Sequence, residues 1–106
     1  TAWVTTSQHS LQGAHLEFAA SMLKTVGHPV RLRILEYLEG IQEASVSDIQ
    51  ESLQQTQPVI SQHLNKMKAL GLLRARRGKG MVLYSIAMPQ LHKLLECIRG
   101  CEREFR

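Results

Sequence analysis

QTQPVISQHLNKMKALGLL, residues 55–73, opens on polar residues and a proline, then repeats Ile60, Leu64 and Met67 at helical spacing until Gly71 stops the run. At roughly 100° per residue these apolar side chains cluster on one side, flanked by Val59, His63 and Leu70. Pro58, Ser61, Gln62, Asn65, Lys66 and Ala69 fall on the other. Thr56 or Gln57 leads in and Pro58 suits the first turn. Upstream, Val46, Ile49 and Leu53 mark a short helix with Ser45 or Ser47 as N-cap. Two helices joined by about four polar residues, 54–57, form a helix-turn-helix. The carboxylate-free polar face then has a use. Short hydroxyl and amide side chains hydrogen-bond base edges in a major groove about 12 Å wide, while Lys66 reaches phosphate.

Beyond Gly71 the period changes from helical to alternating. Leu73 and Ala75 alternate with Arg74 and Arg76, and Val82, Tyr84 and Ile86 alternate on the return, so two strands meet at a tip of Gly78-Lys79-Gly80. A basic hairpin directly after a recognition helix is a wing. Arg74, Arg76, Arg77 and Lys79 are expected to lie along phosphates or reach the adjacent minor groove, adding affinity with little sequence information.

The outer segments complete the domain. Residues 1–9 read as a flexible arm, and 10–106 as a single winged helix-turn-helix domain of mainly α (α+β) class, with a two-stranded wing. From about Ser10, Leu11, Ala14, Phe18, Met22 and Val26 trace one stripe of a helix, which stops at Gly27-His28-Pro29. Glycine there suits a left-handed cap and proline the first turn of the next helix, VRLRILEYLEG (30–40), ending at Gly40. Pro89 starts a last helix with Leu91, Leu94, Leu95 and Ile98 on one stripe. The first and last helices carry more apolar surface than the DNA-reading unit needs. Leu11, Phe18, Met22, Leu91, Leu94, Leu95 and Ile98 are therefore the expected dimer interface, holding two recognition helices about one DNA turn, roughly 34 Å, apart. Met22, Met67 and Met81 are expected as core fillers, and His92 as solvated.

Charge supports a polyanionic partner. The chain carries 13 Lys+Arg against 9 Asp+Glu, yet no acid occurs between Ser52 and Leu95, where Lys66, Lys68, Arg74, Arg76, Arg77, Lys79 and Lys93 lie. The segregation says more than the net charge of +4. With 106 residues, 43% hydrophobic, no apolar run of about 18 residues and no secretory leader, the expectation is a cytoplasmic protein. No phosphate loop, nucleophile elbow or metal triad argues for an enzyme. A winged helix used for protein contact is the rival of another class, and it predicts no salt-dependent DNA binding.

Three segments resemble the ArsR/SmtB repressors. LKTVGHPVRLRILEYL (23–38) resembles the junction of that family's first two core helices, QPVISQHLNKMKALGLL (57–73) its recognition helix, and RARRGKGMVLYSI (74–86) its wing. The resemblance covers about residues 19–99. It implies a homodimeric repressor on a palindromic DNA operator, released by an effector, with Gln57, Ser61, Gln62 and His63 at the family's DNA-reading positions.

The sensing positions depart from the family. The cysteine box at the start of the third helix is replaced by Ala44-Ser45-Val46-Ser47-Asp48-Ile49, and serine offers no thiolate. The zinc positions hold Met88, Gln90, Cys101 and Glu104, a poor tetrahedral set. The second helix has no cysteine to pair with one near the C-terminus, as in sulfide sensors. Cys97 and Cys101 remain, side by side if the helix continues through Gly100. Either they sense a soft ion such as arsenite, with a third ligand such as His15, or a redox or sulfur species, or they pack as small hydrophobes in a constitutive regulator. No cofactor is required by this reading.

Overall fold

The computed structural model describes residues 10–104, with side chains through Cys101. The expected N-terminal arm, 1–9, lies outside the described residues. Five helices and a small sheet follow in order: α1 (Gly13–Val26), α2 (Pro29–Ile41), β1 (Ala44–Ser45), α3 (Val46–Leu53), α4 (Gln57–Ala69), β2 (Leu73–Gly78), β3 (Met81–Ile86) and α5 (Gln90–Glu104).

The first junction is built differently from the sequence expectation. Gly27 has φ −74°, outside the left-handed region, and its N–H donates to the Leu23 carbonyl. Glycine eases a close approach there, because a Cβ would lie 3.1 Å from that carbonyl oxygen. The chain then turns on His28, whose Nδ1 accepts the Val30 N–H at 3.1 Å and caps α2, with Pro29 at the first helical position. Helix α2 runs one residue past Gly40 and buries Ile34, Leu35 and Leu38.

The two-stranded wing, β2 and β3, is extended by β1 into a three-stranded sheet. Strand β1 pairs antiparallel with β3, Ala44 opposite Tyr84 and Ser45 opposite Leu83, giving the order β1-β3-β2. Its two residues are too short to leave an alternating pattern. Ser45 also starts α3: its hydroxyl accepts the Asp48 N–H at 3.1 Å, while the Asp48 carboxylate accepts the Ser45 N–H at 3.2 Å. This reciprocal cap is worth about 1 kcal/mol and fixes where α3 leaves the sheet.

Helix α4 packs the expected stripe, with Ile60, Leu64 and Met67 buried against Leu35, Leu38 and Ile49 in one core that also takes Val26, Leu72, Leu73, Tyr84, Leu91 and Leu95. Gly71, at φ +83°, lets the chain leave the helix and enter β2. Strand β2 pairs with β3 from Leu73 opposite Ile86 to Gly78 opposite Met81. Lys79 and Gly80, both at positive φ, form the two-residue turn that suits the twist of a hairpin.

Candidate nucleic-acid interface

The polar face of α4 is presented as its periodicity requires. Gln57, Pro58, Gln62, Asn65 and Lys66 are exposed and Ser61 is half-buried, while the opposite stripe is fully enclosed. Thr56 is the N-cap but its side chain makes no capping bond, and the first turn carries no acid. Exposed backbone N–H groups and short donors therefore stand together at one end of the helix, with Lys66 and Lys68 in its last turn.

His63 sits elsewhere than on that open face. It is half-buried, its Nδ1 accepts a hydrogen bond from the Arg31 Nε at 3.0 Å, and its ring lies 4.6 Å from that of His28. Burial, with the positive neighbours His28, Arg31 and Lys66, lowers its proton affinity below that of an ordinary histidine. Its first task is thus packing α4 against α2. The sequence placed it at the edge of the apolar stripe but offered no sign of its partner 32 residues upstream.

On the wing, Arg74, Arg77 and Lys79 are exposed. Register places Arg74 and Arg76 on the face of Leu83 and Ser85, and Arg77 on the face of Ala75 and Tyr84. Arg76 is engaged: its Nε and Nη2 donate to the two carboxylate oxygens of Glu43 at 2.6 and 2.7 Å. That fork holds the Glu43 carboxyl below the usual carboxylate range. An acid-free stretch of sequence is not acid-free in space, because the start of β1, across β3 from β2, brings Glu43 within reach of the Arg76 side chain. Met81, expected in the core, is 43% exposed beside the wing turn.

The last helix is continuous through Gly100, and both Cys97 and Cys101 are exposed on it as free thiols. His15 is exposed on α1. Among the described residues no three His, Cys, Asp or Glu side chains gather into a metal site, so one chain alone does not bring Cys97, Cys101 and His15 together. Arg99, between the cysteines, donates to Glu39 at 2.6 Å and lies 3.5 Å from Glu36. His92, expected to be solvated, is 3.0 Å from the same Glu39 carboxylate. Hydrogen bonds from Arg99 and then His92 hold the Glu39 carboxyl below its ordinary value, tying α5 to α2.

The apolar residues assigned to a dimer interface divide in two. Leu91 and Leu95 are 1% and 3% exposed, buried in the subunit's own core, and so are not free to meet a partner. The periodicity of α5 showed that they share a stripe but not which layer the stripe faces. Leu11, Phe18 and Ile98 are exposed, Met22 and Leu94 half-buried; Leu16 and Leu23, absent from the expected stripe, are exposed as well.

A match to the bacterial regulatory protein, arsR family model covers residues 28–75, from the start of α2 into β2. The transcriptional repressor PagR of Bacillus anthracis is 34% identical over 85% of this chain and 90% of PagR. The chain belongs to the arsR family. The PagR crystal structure superposes with a TM-score of 0.72, covering 78% of this chain and 94% of that one. The transcriptional regulator YgaV of Escherichia coli is 31% identical over 82% of this chain and 88% of YgaV. The homodimeric winged helix-turn-helix DNA-binding domain Mb0332 of Mycobacterium bovis superposes with a TM-score of 0.74 at 26% identity, covering 89% of this chain and 90% of that chain. This arsR-family chain is accordingly a DNA-binding transcriptional regulator of the winged-helix class rather than an enzyme. Among the described residues, no helix is long and apolar enough to cross a membrane.

Proposed function

We propose that this arsR-family regulator acts as a homodimeric repressor in the cytoplasm, reading a palindromic operator with the polar face of α4. The observation that carries the reading is the carboxylate-free set of exposed Gln57, Gln62, Asn65 and Lys66 with half-buried Ser61, on a helix whose other face is anchored in the core. Thr56 and Pro58 form the approach to the phosphates. Arg74, Arg77 and Lys79 follow the backbone from the wing, and Arg76 joins them once DNA competes with Glu43. Leu11, Leu16, Phe18, Leu23 and Ile98 supply the contact between subunits, as the homodimeric Mb0332 domain supports by analogy.

Release from DNA is assigned to Cys97 and Cys101, two exposed thiols on successive turns of α5 that offer paired thiolates to arsenite, another soft ion, or an oxidising or sulfur species. A third donor, such as His15, would have to come from the partner subunit. Regulation without an effector is the second reading, favoured by the lack of a third ligand within the described residues of one chain. The test is fluorescence anisotropy of the reduced protein on the DNA upstream of its own gene, with and without stoichiometric arsenite. Loss of binding in the wild type but not in Cys97→Ser or Cys101→Ser supports thiol sensing. Binding that arsenite leaves unchanged removes arsenite from the list.

A further inference from the structure

The side chain of Arg31 touches three helices at once. From α2, its Nη1 donates to the Thr25 carbonyl in the last turn of α1 at 3.0 Å, and its Nε donates to His63 Nδ1 on α4 at 3.0 Å. His63 lies in the same turn of α4 as Ser61 and Gln62, so whatever fixes its ring fixes the roll of the reading face. The bond has a requirement. Nδ1 accepts only when it carries no proton, so His63 must be neutral with its hydrogen on Nε2.

Among the described residues, no carboxylate is placed to welcome a proton at His63. The charges acting on it are those of His28, Arg31 and Lys66, all of one sign. Glu17 and Lys24 on α1, Asp48 and Glu51 on α3, and Arg74, Arg76 and Arg77 on β2, the other elements packed against α4, are not among them. A proton on Nδ1 removes the acceptor and sets an imidazolium against a guanidinium.

We propose that Arg31 is a positioning residue for operator recognition, which fixes α4 through neutral His63 and lets go when His63 takes a proton, so that sequence-specific binding is lost in mild acid while general attraction to DNA persists. The proposal rests on the reading that α4 is the recognition helix. The direction follows from the environment: burial and positive neighbours depress the proton affinity of His63, so the clamp is intact at and somewhat below the ordinary histidine value of 6.5 and opens as pH falls further. The additional positive charge left on α4 favours phosphate, which is why general attraction survives.

The experiment compares two duplexes of equal length, the DNA upstream of the protein's own gene and a scrambled sequence, at about pH 7.5 and about pH 5. The readout is the ratio of their dissociation constants, by anisotropy at fixed ionic strength. In the wild type the preference for the upstream duplex should shrink on the order of tenfold in acid, the scale of one hydrogen bond to a charged group. His63→Asn keeps an acceptor near the Nδ1 position and cannot titrate, so its ratio should change less than about twofold across the same interval, a residue of other titrations. Arg31→Ala should show the low, acid-like ratio at both values; if that variant does not fold, the wild-type and His63→Asn profiles decide. A wild-type ratio that does not change, or a His63→Asn ratio that falls as the wild type does, overturns the clamp. Failure of the wild type to bind either duplex at about pH 7.5 overturns the recognition-helix reading, and the clamp with it.

Discussion

The helix-turn-helix and the first and last helices, α1 and α5, treat apolar surface in opposite ways. Around α4, Ile49, Ile60, Leu64 and Met67 are all fully buried, and apart from Pro58 and Ala69 the exposed side chains of the helix are polar or basic. On α1 and α5, Leu16 and Leu23 are 51% and 55% exposed, and Phe18 and Ile98 are 39% and 40% exposed. One region has finished its packing within a single chain. The other has apolar side chains that a monomer leaves in water, the condition in which a second copy is stabilising. On the proposed reading this is a division of labour: the polar face of α4 is anchored within one chain, while its spacing from a second such face is left to assembly.

Substitutions in the two regions should accordingly fail in different ways. The largest effect is expected from Leu64→Ala, which opens a cavity in the core of the reading unit and should cost about 2 to 5 kcal/mol in denaturant unfolding. Phe18→Glu, on α1, should leave far-ultraviolet circular dichroism unchanged yet weaken self-association on the order of a hundredfold, about 2.8 kcal/mol, in sedimentation equilibrium. Equal loss of fold in both variants would erase the contrast. On the polar face, Gln62→Ala should leave unfolding alone and cost about 1 to 3 kcal/mol on the preferred sequence, with little change on scrambled DNA.

The smallest effect separates two neighbouring arginines of the wing. Arg77→Ala should reduce the slope of log affinity against log salt by about one, because among the described residues its exposed charge has no acidic partner to part from before meeting phosphate. Arg76→Ala should reduce it by less, since the wild type must first part Arg76 from Glu43. Equal slopes in the two variants would mean that the Glu43 pair gives way to DNA without cost.

Legibility in the sequence followed the range of the interaction. The stripe of Ile60, Leu64 and Met67, the Gly71 stop, the Gly78-Lys79-Gly80 tip and a serine cap at Ser45 or Ser47 are local patterns, legible from residues a few positions apart; the structure selects Ser45. Strand β1 was not, because two residues carry no alternation and their partners, Tyr84 and Leu83, lie about 40 positions away. The same holds for side-chain pairs. Arg31 with His63, Arg76 with Glu43, and Arg99 with Glu39 each join residues more than 30 apart, and charge counting along the chain assigned Arg76 to phosphate without seeing its acid. Leu91 and Leu95 show a further limit: helical spacing identifies an apolar stripe, whereas tertiary packing decides whether it meets the chain's own core or a second subunit.

The central claim, that α4 and the wing together form a DNA-binding surface, is tested most directly by the salt dependence of binding to the upstream duplex. A dimer neutralising about 6 to 10 phosphates should lose on the order of a thousandfold or more in affinity between 50 and 200 mM salt. No binding at the lower salt, or an affinity indifferent to salt, would contradict the claim and return the fold to the class of winged helices that bind proteins.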